Sequence, residues 1–259
     1  MSAFRLTTPS FGSALLPVVG VLVLTAIWQV AWWAGVADPV LLPSPGETLR
    51  AMWTGFTSGE LAGDFVQTVW RTTLSFAIAC AIGVPLGLVL GSSVPLYRSV
   101  EFIVDFFRST PASAMFPLFL VLFGVGDRTK IYVASFGAIL AILFNVAYAV
   151  MNARRTRVLA ARSMGASRWQ VLRDVIFFEA LPGSFIGLRN GISIALVIII
   201  VAEMFIGSSD GLGHRLIEAQ MLFNMPTMYA AIFAAGALGY GLNLLFLGLE
   251  TRFIHWSGR

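Results

Sequence analysis

The stretch Leu159-Ala160-Ala161-Arg162-Ser163-Met164-Gly165-Ala166-Ser167-Arg168-Trp169-Gln170 lies within residues 152–184, by far the largest polar segment of the chain. Residues Arg154 to Met164 read as a helix of arginine and alanine. Gly165 follows at the place where helices commonly end on a left-handed residue, a conformation glycine adopts without steric cost. Ser167 and Gln170 then form a capping box, in which the hydroxyl and the side-chain carbonyl satisfy amides left free at a helix start. The second helix carries Trp169, Leu172, Val175 and Ile176 on one side and is expected to end before Pro182-Gly183. Together these residues predict a helix–turn–helix hairpin with a corner of Ala160, Ala161, Gly165 and Ala166. A knuckle of small side chains suits insertion into another protein's groove, because bulk there would block close backbone approach. A charged loop that sets membrane topology and touches lipid headgroups is the competing reading, and these residues alone leave both open.

Outside this hairpin the chain is apolar almost throughout. Of its 259 residues, 58% are hydrophobic and only 12% are charged, with a mean hydropathy of +0.84. A soluble domain carries about 25% charged residues, and a fold of this size has no interior large enough to hide the excess apolar surface. That excludes a soluble enzyme, a nucleic-acid binder and a disordered hub. The fold class is an all-α polytopic membrane protein. Six segments reach the ~20 residues needed to cross a bilayer, at about 14–36, 66–91, 101–124, 131–151, 185–206 and 228–249. The first lies in an uncharged run from Leu6 to Ala37, too long for the apolar region of a cleaved signal peptide, about 7–15 residues.

Basic residues orient the spans, since cytoplasmic loops carry the excess of Lys and Arg. Of 17 basic residues only Lys130 is a lysine. With the N-terminus inside, the cytoplasmic segments hold Arg5, Arg98, Arg154, Arg155, Arg157, Arg162, Arg168, Arg173, Arg189, Arg252 and Arg259. The external segments hold Arg50, Arg71, Arg128, Lys130 and Arg215. The bias predicts both termini inside and the 152–184 hairpin in the cytoplasm.

Within the second span Ser75, Ala79, Gly83, Gly87 and Gly91 recur every four residues. Small residues on one helix face let two backbones approach closely in lipid, and packing inside one subunit is favoured over a subunit interface. The external segment 37–65 contains Ser44-Pro45-Gly46-Glu47, a second capping box with proline at the first helical position. The helix after it, with Leu49, Met52, Trp53 and Phe56, is amphipathic and expected at the membrane surface. External segment 207–227 separates the last two spans.

Charges inside spans are costly and mark functional candidates. Glu101, Asp105 and Arg108 share one helix face and are expected to form an ion-pair network, with Arg108 deepest and a candidate anion contact in the pathway. Glu203 has two readings, pairing with an arginine or gating. Asn145 likewise suits a helix–helix hydrogen bond or a pathway contact. No Gly-x4-Gly-Lys-Ser/Thr loop is present, so ATP has no visible site in this chain. Gly211-Leu212-Gly213 lacks the preceding strand of a dinucleotide site and reads as an external turn. His214 and His255 have no second ligand at metal spacing, and Cys80, the single cysteine, reads as a packing residue.

The hairpin resembles the "EAA" loop of ATP-binding-cassette importer membrane subunits, where Glu-Ala-Ala and a glycine four residues later mark the coupling helix. Ala160, Ala161 and Gly165 are in register, whereas Leu159 stands at the glutamate position and Phe178 where a proline is usual. Pro182 matches the second proline of the nitrate/sulfonate/taurine-type permeases. That branch is also resembled by Leu42-Pro43-Ser44-Pro45, Arg108-Ser109-Thr110-Pro111, Pro117-Leu118, Phe123-Gly124-Val125-Gly126-Asp127, Gly187-Leu188-Arg189, Ala202-Glu203-Met204, Gly211-Leu212-Gly213 and Trp256.

The resemblance implies a type I importer (MetI-like) fold with six transmembrane helices and both termini inside, in the inner membrane of a bacterial cell. It implies a homodimer, two cytoplasmic ATPase subunits that bind ATP and Mg, and a periplasmic or lipid-anchored binding protein; no cofactor or metal is expected in this chain. The ATPase contact would comprise Ala160, Ala161, Gly165, Ala166, Ser167, Arg168 and Trp169, and the pathway Arg108, Asn145 and Glu203. The implied solute is small and anionic, with sulfonate, taurine, nitrate, bicarbonate, an aromatic carboxylate or a thiamine-precursor pyrimidine all open. The missing glutamate at 159 leaves two readings open: its role is offset by Glu179 or Asp174, or coupling is looser. An ion-driven secondary transporter or channel is the competing reading and predicts repeated halves with broken helices, which are not evident. A membrane-embedded enzyme would need a convergent acid/base or metal set, and none can be argued.

Overall fold

Why the helices stop and start where they do is visible first at the two predicted capping boxes. Ser44 Oγ accepts from the Glu47 amide at 3.2 Å while the Glu47 carboxylate accepts from the Ser44 amide at 2.8 Å, and Pro45 opens helix α2 (Pro45–Ser58). A computed structural model describes residues 11–254; Arg5, His255, Trp256 and Arg259 lie outside them. Helix α1 (Phe11–Trp33) precedes α2. Its Trp28 indole donates to the Pro43 carbonyl at 3.1 Å and stacks on Tyr229 and Phe233.

The central layer is α3 (Glu60–Gly91), α6 (Asp127–Met151) and α9 (Phe177–Phe205), with α11 (Met225–Phe253) packed beside them. Helix α6 lies between two glycine stripes. From α3, Gly83, Gly87 and Gly91 face Ile142, Val146 and Val150, and a Cβ on Gly87 or Gly91 would sit 2.7 Å from the Val146 or Val150 Cβ. From α9, Gly183, Gly187 and Gly191 face Ala149, Asn145 and Ile142, each with room for hydrogen only: an added Cβ would fall 2.6 Å from its neighbour. The α3 stripe therefore packs within the subunit, as expected; the α9 stripe is a second one that the sequence reading missed. Ala79, Ala138, Ile142, Val146 and Ala195 meet in the resulting core and are fully buried.

Among the described residues, five helices are long and apolar enough to cross a membrane, and a bent pair, counted as one span, makes a sixth. That pair corrects the span expected at 101–124. It is α4 (Val94–Ser109), then a 3-10 turn (Ala112–Met115) running into α5 (Phe116–Phe123), with an 89° bend between them. The cause is Pro111: the residue before a proline is driven out of the helical region, and Thr110 is extended at φ −81°, ψ 123°.

The second correction concerns the hairpin. Its second helix does not end before Pro182. Helix α8 (Arg168–Val171), a π turn (Leu172–Ile176) and α9 form one unbroken run from Arg168 to Phe205. Proline removes one intrahelical donor, which breaks an isolated helix. Here Gly183, Gly187 and Gly191 lock the flanking turns onto α6, so neighbouring helices carry the chain through it.

Candidate functional site

At the hairpin end, α7 (Arg155–Ser163) terminates as the sequence predicts, with Gly165 left-handed at φ +86°. The Gly165 amide donates to Arg162 and the Ala166 amide to Ala161, at 3.0 and 3.1 Å, the paired bonds of a Schellman turn. Ser167 and Gln170 make both capping-box bonds, at 3.3 and 2.8 Å. Ala161 and Val171 are buried at the corner, whereas Ala160, Gly165, Ser167 and Arg168 are exposed and Ala166 is half-buried. Leu159, Met164 and Trp169 present 61%, 81% and 67% of their surface, a rigid apolar tip that this subunit leaves uncovered. Of the two carboxylates expected to offset Leu159, Asp174 pairs with its own neighbour Arg173. Glu179 reaches across to Arg157 of α7.

Further along the same long helix, Asn190, Ser193 and Ile194 form one wall of a cavity of about 550 Å³. Arg108, Phe107 and Thr110 line it from the bent pair, and Phe144 and Asn145 from α6. The structure thus brings together Arg108 and Asn145, two of the three predicted pathway residues. Arg108 lies 4.4 Å over the Phe144 ring and pairs with Asp105 at 3.2 Å. The wider network is not formed: Glu101 makes no ion pair among the described residues. Asn145 donates to the Ala141 carbonyl on its own helix at 2.8 Å, not to another helix, and its Cβ fills the notch above Gly187.

Glu203, the third predicted residue, is absent from that cavity's walls. It is 1% exposed, at the opposite end of α9 from the hairpin. It accepts from Arg71 at 2.8 Å, from Thr68 at 2.9 Å and from the Gly213 amide at 3.0 Å. Pairing, the first of its two readings, is what the fold realises. Arg71, itself 2% exposed, also bonds Asp127 at 3.0 Å and Asp210. Lys130, equally buried, joins Asp127 to Ser208 at 3.2 and 2.8 Å. Arg71 and Lys130 are therefore interior groups, not the loop charges that the sequence reading counted. Helix α10 (Leu212–Met221) is seated by the same cluster: Asp64 accepts from the Gly211 amide and Thr68 from the Leu212 amide, at 2.8 and 2.9 Å. Burial by itself would lower the Arg215 pKa, but its bond to Asp64 and the charges of Asp64, Glu218 and Glu60 raise it above its ordinary value.

The profile of one protein family, "Binding-protein-dependent transport system inner membrane component", matches residues 83–255. The chain belongs to that family. The permease is 28% identical to the taurine transport system permease protein of Escherichia coli K12, across 91% of this chain and 87% of that one. It is 30% identical to the putative aliphatic sulfonates transport permease protein of the same organism, over 90% and 89% of the two chains. A riboflavin transport system permease protein of Chloroflexus aurantiacus is also 30% identical, over 93% and 91%. Among solved structures, an inward-facing MetNI methionine ABC transporter matches with a TM-score of 0.65 and 25% identity, covering 73% of this chain and 94% of that one. The MetI-like importer fold and the taurine/sulfonate-type resemblance both stand.

Sequence reasoning on the permease missed Arg71, Lys130, Asp64, Thr68, Asn190 and Ser193. For Arg71 a signal existed: a lone arginine in the first turns of a span, with Glu203 similarly placed at the end of another. The remaining residues are ordinary polar side chains whose company is set by how distant helices meet.

Proposed function

We propose that the permease is the transmembrane half of an ATP-driven importer that moves a small anionic solute into the cytoplasm of a bacterial cell across its inner membrane. In this reading two copies enclose the pathway, and each hairpin docks by its knuckle into one of two cytoplasmic ATPase subunits, which bind ATP and Mg. A binding protein outside delivers the solute. The supporting observation is the single helix from Arg168 to Phe205. It begins in the knuckle, walls the Arg108 cavity midway and ends in the Glu203 cluster. A displacement imposed at its first turn is carried along that rigid rod to the cavity wall, which is what alternating access requires of a coupling element. The relatives that move taurine and sulfonates favour an anionic solute, and Arg108 supplies a guanidinium at the cavity rim. Purification with an ATPase whose hydrolysis rises when binding protein and solute are added tests the assignment; uptake by the isolated chain under an ion gradient alone would overturn it.

Two expected results follow from the same geometry. In Gly165→Val, a β-branched residue at φ +86° costs about 1–2 kcal/mol locally, and the added bulk, whose Cβ meets nothing within 4 Å in this subunit, lies at the corner where the partner would seat. ATP hydrolysis should persist while solute moved per ATP collapses; coupled uptake at the parental ratio would refute docking through this corner. Arg108→Ala should assemble normally, since the side chain is half-exposed. Uptake of an anion should fall by about tenfold or more, the factor for losing a hydrogen bond to a charged group. A parental uptake rate in the assembled complex would remove Arg108 from the pathway.

A further inference from the structure

Hairpin helix α7 packs against the start of the long helix. At the closed end, beside the Gly165 turn, Ala161 and Val171 are each buried. At the open end, Arg157 of α7 pairs with Glu179 of α9, whose side chain is only 12% exposed. Between the two lies a gap of about 330 Å³, bounded by Ala160, Met164, Val175 and Phe178 among others. Among the described side chains of α7, Arg157 alone carries an ion pair or hydrogen bond to another element.

The π turn at Leu172–Ile176 is what presents Glu179 to that gap. Such a turn inserts one residue and sets everything after it back by about 100° relative to a regular helix. Glu179 is eight residues beyond Val171, so it falls where the seventh residue of a regular helix would fall, on the same face as the buried Val171. Leu159, at the position where the resemblance expects a glutamate, points away and is 61% exposed.

We propose that Glu179, set in register by the π turn and paired with Arg157, is the positioning residue that braces the open end of the hairpin and makes it move as one body with α9. The proposal rests on the importer reading of the hairpin. With the brace in place, a push on the knuckle turns the long helix. Without it, α7 hinges about the Gly165 corner, the gap absorbs the motion, and ATP is spent without displacement of the cavity wall.

The test uses the whole transporter, permease with its ATPase and binding protein, in proteoliposomes, and measures ATP hydrolysis and solute uptake in the same preparation. Glu179→Gln and Arg157→Gln are each expected to keep hydrolysis and to lower solute moved per ATP by about tenfold, the factor for losing one charge-assisted hydrogen bond. Arg157→Lys, which keeps the charge, should retain most of the ratio, and the exchange Arg157→Glu with Glu179→Arg should recover it relative to either reversal alone. If the single variants only reduce the amount of complex and leave solute per ATP unchanged, the pair is merely structural and the proposal fails. It fails equally if neither Arg157→Lys nor the exchange recovers the ratio. Failure of the importer reading is distinguishable, because then the parental protein itself would show no ATPase-coupled uptake.

Discussion

Glu203→Ala is expected to be among the most destabilising single substitutions in the permease, by about 3–5 kcal/mol, the range for removing one partner of a buried ion pair. The carboxylate is 1% exposed and accepts from three donors that come from two different elements, Arg71 and Thr68 on α3 and the Gly213 amide on α10. Alanine strands the Arg71 guanidinium against two remaining carboxylates and leaves the Gly213 amide without an acceptor in the interior. Glu203→Gln keeps one carbonyl oxygen for Gly213 or Arg71 and should lose much less. Arg71→Met should resemble Glu203→Ala, because Glu203, Asp127 and Asp210 all lose the same cation. Thermal unfolding followed by size-exclusion of the detergent-solubilised protein ranks the variants. A melting midpoint for Glu203→Ala equal to that of the parent would falsify the claim that this cluster holds α10 to the bundle.

Gly213→Ala should be nearly as damaging, although it adds only a methyl group. A Cβ at that position would overlap the Ile200 carbonyl oxygen, lie 3.0 Å from its carbon and stand 2.8 Å from the Glu203 Cβ. Two of these contacts are with backbone, which has no rotamer to yield, so α10 must lift off α9 and drag the Gly213 amide away from Glu203. Overpacking of a tight site costs about 1–3 kcal/mol, and here loss of a hydrogen bond to a charged group adds roughly 1.5–3 kcal/mol. Gly236→Ala is the control, for its Cβ meets nothing within 4 Å. Alanine replaces glycine in a helix interior there, so stability should hold or rise by up to about 1 kcal/mol. Equal melting behaviour for the two alanine variants would show that close approach at Gly213 is not required.

Legibility from sequence tracked the range of the interaction. The Ser44 and Ser167 capping boxes and the left-handed Gly165 were readable because each closes its bonds within five residues. The Gly83, Gly87 and Gly91 face was readable because helical spacing alone puts those residues in line. The same spacing in Gly183, Gly187 and Gly191 was hidden by Pro182, which signals a helix end to any local rule and is overridden by packing on α6. The bend at Pro111 runs the other way: prolines at 111 and 117 sat inside an expected span, and hydropathy, which sums over residues regardless of direction, could not register an 89° turn. The readings of Glu203 and of Glu179 were left with alternatives because each partner lies far away along the chain, 132 residues for Arg71 and 22 for Arg157.

Composition, spacing and local chemistry in the sequence by themselves determined that this is a helical membrane protein and that a hairpin corner capped by Gly165 and Ser167 interrupts its apolar helices. These properties depend on hydropathy and on bonds between near neighbours, and every such term is present in an isolated segment. Only the tertiary structure decided that Arg71 and Lys130 are interior ions, that α6 is held between two glycine faces, and that Arg168 to Phe205 is one continuous rod. A buried charge or a bare glycine is satisfied by whatever element arrives opposite it. In this fold the opposite element comes from another helix, whose arrival no local pattern specifies.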